Sequence, residues 1–211
     1  MLLMDENAEL SPAEERFAEW IRWSPAQPGV VLIDVAVPDR GRTRQVDAVI
    51  WTPQRCIAVE VKGFRSRQDG ALVIPANGPW LMEDGSVTDL YGNDYSHNPT
   101  KQVRENTLAV KNWAAGVTGR SRYVDGLVPV MLQPGQNVPR VDAREQPVGI
   151  YMLIDDFDVF RYYLHSLGRK RIEWTADEVV TLIAALGLAH RHGGYRAPIA
   201  AALGEGLENS A

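Results

Sequence analysis

The pattern of apolar and polar positions begins with an amphipathic helix. Ser11 is suited to be its N-cap, Pro12 its first residue, and Glu14 the acid of a capping box. The apolar positions Phe17, Trp20 and Ile21 recur at helical spacing and carry the helix to about residue 23. Residues 1–10 precede this start without a clear period, and we expect them to form a flexible N-terminal tail.

Three closely spaced strands follow the helix. They are rich in β-branched residues and are separated by short segments with turn residues, as in Pro53-Gln54-Arg55. Connections this short predict an antiparallel meander. The predicted strands cover residues 30–37, 44–51 and 56–64.

The rest of the chain alternates between the two kinds of element. Asn98-Pro99 predicts the start of a second long helix, and Thr175 with Glu178 forms another capping box. The predicted class is α/β, with one long loop and a helical C-terminal extension. The further elements are a weak strand at 71–75, a loop at 77–97, a helix at 98–116, strands at 127–132 and 148–154, helices at 157–167 and 175–186, and a tail at 196–211.

Composition narrows the possible classes of protein. The chain has 211 residues with 45% hydrophobic residues, which is ordinary for a folded domain. Its single cysteine, Cys56, excludes an intramolecular disulfide framework and a zinc site built from cysteines. The sequence has neither a stretch of about 18–20 apolar residues nor the basic start of a signal peptide, so we expect a cytoplasmic protein without a membrane segment.

The net charge of −5 repels phosphate groups. A nucleic-acid-binding protein of this composition therefore needs local basic patches, or metal ions that neutralise acidic site residues. Lysine is rare, with four residues against eighteen arginines, so each lysine carries more information than usual.

Asp47, Glu60 and Lys62 form the most informative group of residues. Alternation along the third strand places Glu60 and Lys62 on one face, and pairing with the second strand brings Asp47 near Glu60. Two neighbouring carboxylates favour a divalent cation such as Mg²⁺, and a nearby ammonium orients water and offsets charge that develops on a phosphate. An exposed strand face with a salt bridge is the structural alternative.

These residues resemble a known family in their order and spacing. Residues 44–49 and 57–63, Trp80 in the following loop and the Asn-Pro-x-x-Gln motif at 98–102 look like the NERD (nuclease-related domain) family of the PD-(D/E)XK nuclease-like superfamily. The likeness covers about residues 11–133, which we expect to form a restriction-endonuclease-like core. Residues 134–195 would then form a strand and helical extension packed on it.

The resemblance also implies roles for individual residues. Mg²⁺ is the expected cofactor, with Mn²⁺ able to replace it. In this sequence Val46 stands where the superfamily has proline, and Gln45 matches a glutamine common in the family. The implied roles are metal ligation by the carboxylates of Asp47 and Glu60 and the carbonyl of Val61, catalysis by Lys62, and further site contacts from Gln102 and Glu14.

Several of these residues also have a purely structural explanation. Glu14 is explained equally well by its capping box. Glu15 is the alternative site acid of this helix, but Glu14 shares a face with Phe17 and Ile21 and is the better candidate.

For Asn98 and Pro99 the start of a helix is the better explanation. Trp80 is more typical of a core or lid residue than of a base-stacking residue. Gln102, one turn into its helix, has no such structural explanation.

Basic residues near these strands are candidates for nucleic-acid binding. If the meander forms, the loops that flank its second and third strands lie beside a bound phosphate backbone; the alternative is a pair of solvated loops. The candidate binding residues are Arg42, Arg44, Gln45, Arg65, Arg67 and Lys101.

The leading functional hypothesis is a metal-dependent nuclease that hydrolyses phosphodiester bonds in DNA. The second is a non-catalytic module for nucleic-acid binding or protein interaction on the same fold. Because the chain is acidic overall, a protein partner that delivers the substrate is a reasonable expectation. The apolar helix at 176–186 packs in the core or offers a homodimer surface.

Overall fold

The fold is an α/β arrangement, seen in a computed structural model that describes residues 1–4, 9–24, 26–93, 98–143, 147–188 and 196–205. Within these ranges the helices are α1 (Pro12–Arg22), α2 (Pro99–Thr118), α3 (Phe157–Leu167), α4 (Ala176–Ala185) and α5 (Arg196–Ala202). The strands are β1 (Leu2–Met4), β2 (Val30–Asp39), β3 (Arg42–Trp51), β4 (Cys56–Val59), β5 (Lys62–Gly63), β6 (Leu72–Ile74), β7 (Leu81–Met82), β8 (Val124–Met131), β9 (Val141–Ala143) and β10 (Ile150–Ile154).

The main sheet has the order β1-β2-β3-β4-β8-β10, with β5 also paired to β8. Strands β2, β3 and β4 are antiparallel neighbours, which confirms the predicted meander. After α2 the chain returns as β8, parallel to β4, and β10 lies parallel to β8. The mixed α/β class predicted from the sequence is therefore confirmed.

Helices cover both faces of this sheet. One face packs against α2, α4 and α5, and the other against α1 and α3. In α1 the buried residues Phe17, Trp20 and Ile21 are those of the predicted apolar stripe, and the Ser11–Glu14 capping box forms. Helices α3 and α4 begin and end within a residue of their predicted limits.

Both predicted terminal tails contain ordered structure. Leu2–Met4 pairs in parallel with β2, and α5 buries Ile199 against the core. A three-residue strand and a short helix with few large apolar residues give too little periodicity to be recognised, and only the tertiary contacts stabilise them. Residues 5–8 and 206–211 of these tails lie outside the described residues.

The long loop predicted at 77–97 is also partly structured. Strand β7 pairs with β6, and β6 pairs with β9, which gives a second, three-stranded sheet. Trp80 is 1% exposed in the core beneath this sheet. Residues 94–97 of the loop lie outside the described residues.

The predicted third strand is interrupted, and this interruption positions the site. Strand β4 pairs with β8 as far as Val59, and pairing with β8 resumes at Lys62 in β5. In the gap between these strands, the Val61 N–H donates to Oδ2 of Asp47 at 2.7 Å. A side-chain carboxylate thus replaces a regular strand partner. Neighbouring β2 is irregular at the same level, where Asp34 has a φ of 55°.

No helix in the part of the chain that the structure describes is both long and apolar enough to cross a membrane.

Candidate active site

The centre of the site is a buried ion pair at the end of β4. Lys62 Nζ lies 2.7 Å from Oε1 of Glu60, and the two residues are only 4% and 2% exposed. Both side chains lie on the same face, as the alternation predicted. The salt bridge expected on structural grounds therefore forms, but inside the protein, where each charge depends on its partner.

Helix α2 supplies one further contact to each member of the pair. Lys62 Nζ donates to Oε1 of Gln102 at 3.1 Å, and Asn106 Nδ2 donates to Oε2 of Glu60 at 2.8 Å. Gln102 and Asn106 are four residues apart, so they lie on one face of the helix. Gln102 was predicted from the sequence and Asn106 was not, although the spacing of four residues between them was a usable signal.

The amide oxygen of Asn106 is buried without a donor in the part of the chain that the structure describes. The residue is 1% exposed, and its Oδ1 has no hydrogen-bond partner among the described residues. Burial of an amide oxygen without a donor costs free energy of folding. The hydrogen bond from Nδ2 to Glu60 is the contact that keeps the side chain in this position.

Asp47 lies beside this pair on β3. It is half-buried, and Oδ2 accepts the hydrogen bond from Val61. The three predicted metal ligands are thus neighbours: Val61, next to Glu60 in the interruption between β4 and β5, donates to Asp47, and Asp47 and Glu60 repel each other.

Electrostatics in this cluster favour protonation of the carboxylates. Burial and then repulsion from Glu60 raise the pKa of Asp47 to about 8, against the lowering effects of Lys62 and of the Val61 hydrogen bond. Burial also raises the pKa of Glu60, against the attraction of Lys62. A positive charge placed between the two carboxylates would lower both pKa values again.

Glu14 forms the capping box that explains it structurally, and it also lies near the site carboxylates. Its carboxylate accepts the Ser11 N–H at 2.6 Å and completes the capping box. The same negative charge is close enough to raise the pKa values of both Asp47 and Glu60.

The donor set fits a hard divalent cation that keeps part of its water shell. Carboxylate oxygens are the ligands that Mg²⁺ prefers, and Mg²⁺ is often held by only one or two of them. In the described ranges no group of three or more His, Cys, Asp and Glu side chains is arranged to hold a metal ion. The candidate set is therefore the pair Asp47 and Glu60.

Gly92 lies beside the Lys62 ammonium group and was not predicted as a site residue. It has a φ of +68°, and a Cβ atom built there would lie 2.8 Å from Lys62 Nζ and 3.8 Å from Oε1 of Gln102. A side chain at this position would displace the ammonium group. Nearby, Asn93 holds the backbone of Trp80 and Thr88 by three hydrogen bonds, which fixes the turn.

A polar groove of about 450 Å³ leads to the α2 residues of the site. Four of the six predicted nucleic-acid-binding residues contribute to its walls. The groove is lined by Arg42, Thr43, Arg44, Gln45, Asn98, Lys101, Gln102, Glu105 and Asn106.

The charges in this groove are not equally available. Arg44 is engaged by Asp39 at 3.4 Å and by Glu105 at 3.0 Å. Arg42 also lies 3.7 Å from Oδ2 of Asp39, but its side chain is 70% exposed, and Lys101 is exposed as well. Gln45 donates to Asp34. The cations most open to a bound anion are therefore Arg42 and Lys101.

The other predicted contacts lie elsewhere. Arg65 and Arg67 are exposed and do not line the groove; Arg67 pairs with Asp69 at 3.1 Å. Trp80 is a core residue whose indole Nε1 donates to Thr100 at 3.1 Å, as its structural explanation predicted. Asn98 caps α2 through the Lys101 N–H.

Comparison with known proteins identifies the family. No curated protein and no solved structure matches the chain. The family model described as nuclease-related domain matches residues 10–131, more than half of the chain, and contains Asp47, Glu60, Lys62 and Gln102. The match points to a nuclease-related function, and the chain belongs to the nuclease-related domain (NERD) family.

Proposed function

We propose that this protein is a metal-dependent nuclease that hydrolyses phosphodiester bonds in DNA, on a core of the restriction-endonuclease type. The observation that carries the proposal is the gathering of Asp47, Glu60 and Lys62 at one interrupted strand, beside a groove with exposed cations. Membership in the nuclease-related domain family supports the same class of reaction.

In this proposal Asp47, Glu60 and the carbonyl of Val61 would hold Mg²⁺, which Mn²⁺ could replace. The ion would supply positive charge for the phosphate oxygens and would lower the pKa of water at the site. Burial and the charge of Glu60 raise the pKa of Asp47 to about 8, so its carboxyl group is mostly protonated at neutral pH. Binding of the ion would therefore require that Asp47 lose this proton.

Lys62 is the residue proposed to assist the attacking water. Its ammonium has three N–H donors, of which Glu60 and Gln102 accept two. The remaining donor is available to orient a water molecule or to contact a phosphate oxygen as negative charge develops there. Gln102 and the Gly92 turn fix the direction of this donor, and Glu14 adds negative charge that keeps the site attractive to cations.

The groove is proposed to hold the DNA backbone. Arg42 and Lys101 on its walls would contact phosphates that flank the cleaved bond, while Gln45 and Arg44 shape the wall between them. Contacts of this kind position a strand without reading its sequence. An acidic chain with only a few such cations binds DNA weakly, which favours a protein partner that delivers the substrate.

One observation favours the non-catalytic module as the second candidate. Both oxygens of Glu60 already accept hydrogen bonds, from Lys62 and Asn106, so the pair is satisfied without an ion. A calorimetric Mn²⁺ titration separates the two candidates, because only the nuclease requires an ion at Asp47 and Glu60.

The direct test is a cleavage assay on end-labelled single-stranded, duplex and circular DNA with Mg²⁺, Mn²⁺ or EDTA. Asp47→Asn is the preferred variant because the amide keeps its size and its contact with Val61. Glu60→Gln is less suitable, since it would leave the buried Lys62 ammonium without its counter-ion. We expect Asp47→Asn to reduce cleavage by at least about a hundredfold.

Asp142→Asn is the matched control, because Asp142 is an exposed aspartate on β9 outside the groove. It is expected to cleave at the wild-type rate. The proposal fails if folded wild-type protein gives no metal-dependent products, or if Asp47→Asn cleaves as well as Asp142→Asn.

A further inference from the structure

An exposed tyrosine lies beside the site and has no role in the mechanism above. Tyr91 is 51% exposed, and the guanidinium carbon of Arg65 lies 4.6 Å from the centre of its ring. Arg65 is itself exposed. A planar ring and a planar cation are thus held together at the surface, which is an arrangement on which nucleic-acid bases stack.

Backbone pairing fixes this platform relative to Lys62. Tyr91 N donates to the Gly63 carbonyl at 3.1 Å, and Arg65 N donates to the Asp89 carbonyl at 2.8 Å. Phe64 and Leu90 form an antiparallel bridge between these two bonds. The residues that carry the ring and the guanidinium are therefore tied directly to β5 and the residues that follow it, and β5 begins with Lys62.

Two glycines bring the platform close to the site. A Cβ atom at Gly63 would lie 3.9 Å from the Tyr91 ring and 2.7 Å from the Ala13 side chain, so the ring covers a position that has no side chain. At the next residue, Gly92, a Cβ atom would lie 2.8 Å from Lys62 Nζ, so the absence of a side chain leaves room for the ammonium group. The ring is consequently one residue from the glycine beside that ammonium group.

The groove and the platform differ in chemistry. The described residues that line the groove are polar or charged, with no aromatic ring among them, which suits a sugar-phosphate backbone. Tyr91 and Arg65 offer a planar surface, which suits the face of a base. Bases of a duplex are paired and stacked on each other, so only an unpaired base can stack on a side chain.

We propose that Tyr91 and Arg65 bind an unpaired base next to the cleaved phosphate, which makes single-stranded DNA the preferred substrate of the site. This inference rests on the proposed function. The burial of Lys62, which is 4% exposed, agrees with it, because a single strand can bend toward a recessed group more easily than a stiff duplex.

The test is fluorescence anisotropy in EDTA with the full chain, using a labelled oligothymidine strand and a labelled duplex of the same length. We expect wild type to bind the single strand more tightly than the duplex. Tyr91→Ala and Tyr91→Leu should weaken single-strand binding roughly tenfold, since both remove the ring. Tyr91→Phe should bind like wild type, because stacking needs the ring and not the hydroxyl.

Tyr162→Ala is the matched control, since Tyr162 is a 73% exposed tyrosine on α3. It should leave both affinities unchanged, and the Tyr91 variants should leave duplex binding within about twofold of wild type. The inference is overturned if Tyr91→Leu binds the single strand like wild type, if Tyr91→Phe is as weak as Tyr91→Ala, or if duplex binding falls equally.

The binding assay contains no metal and involves no cleavage, so its result can reject the inference about Tyr91 without bearing on the proposed nuclease activity. Normal cleavage that depends on Asp47, together with single-strand binding that does not depend on Tyr91, would reject the platform alone. Ring-dependent binding without any metal-dependent cleavage would reject the nuclease alone.

Discussion

The raised pKa of Asp47 makes the stability of the metal-free protein depend on pH in a direction that can be measured. Its carboxyl group titrates near 3.8 in an ordinary setting and at about 8 in the folded protein. Between these values the folded state keeps a proton that the unfolded chain releases. Stability contributed by this group is therefore complete below about pH 4 and is lost as pH rises toward 8.

The size of the effect follows from linkage. One proton bound by the folded state and not by the unfolded state lowers the free energy of unfolding by about 1.4 kcal/mol for each pH unit. Asp47→Asn removes the titrating group and keeps the side-chain volume. From pH 5 to pH 7 the variant should thus gain up to about 3 kcal/mol of stability relative to wild type.

Urea denaturation in EDTA at pH 5, 6, 7 and 8 measures this difference, with Asp142→Asn as the control that should follow wild type. Saturating Mg²⁺ should remove most of the wild-type loss, because the ion favours the ionised carboxylate. The reasoning would be refuted if the difference in free energy of unfolding between wild type and Asp47→Asn were the same at pH 5 and pH 7. The Asp47 carboxyl group would then have an ordinary pKa.

Three further outcomes are expected. The affinity for Mn²⁺, measured by calorimetry, should rise by up to about tenfold per pH unit from pH 6 to 8, because binding displaces a proton from the same carboxyl group; a flat profile would contradict this. Asn106→Ala should lower the free energy of unfolding by about 1–3 kcal/mol, since Oε2 of Glu60 loses its donor; a loss under about 0.5 kcal/mol in urea denaturation would argue against that contact. Gly92→Ala should lower the melting temperature and the cleavage rate, whereas Gly85→Ala, with a φ of +84° and open space around it, should lower the melting temperature only; equal cleavage by the two variants would show that the turn does not hold Lys62.

The sequence was sufficient to predict features that depend on residues close together along the chain. Ser11 with Glu14 and Thr175 with Glu178 are local capping pairs, and both boxes form as predicted. The three strands joined by short turns have little choice but to pair in sequence order, which explains why the meander was predicted correctly. The same-face placement of Glu60 and Lys62 follows from a period of two residues.

Contacts between residues distant in sequence were decided by the tertiary structure. The break in the third strand arises because Asp47, fourteen residues earlier, takes the Val61 N–H from the sheet. Asn106 and Gly92 gain their importance only from lying against Glu60 and Lys62. The spacing of Asn106 from Gln102 places it on the same helix face but does not show that it contacts Glu60, and no local pattern distinguishes Gly92 from an ordinary turn glycine.

The same division applies to charge and to the ends of the chain. Sequence shows that Arg42 and Arg44 are close to each other. Only the fold shows that Arg44 is largely covered and held by both Asp39 and Glu105, whereas Arg42 contacts Asp39 alone and keeps 70% of its side chain exposed. Leu2–Met4 becomes a strand because β2 offers it a partner. Local propensity and spacing therefore determined the longer elements and the candidate chemistry. Packing decided the short elements and which groups are buried or paired, since both depend on what the rest of the chain places beside each group.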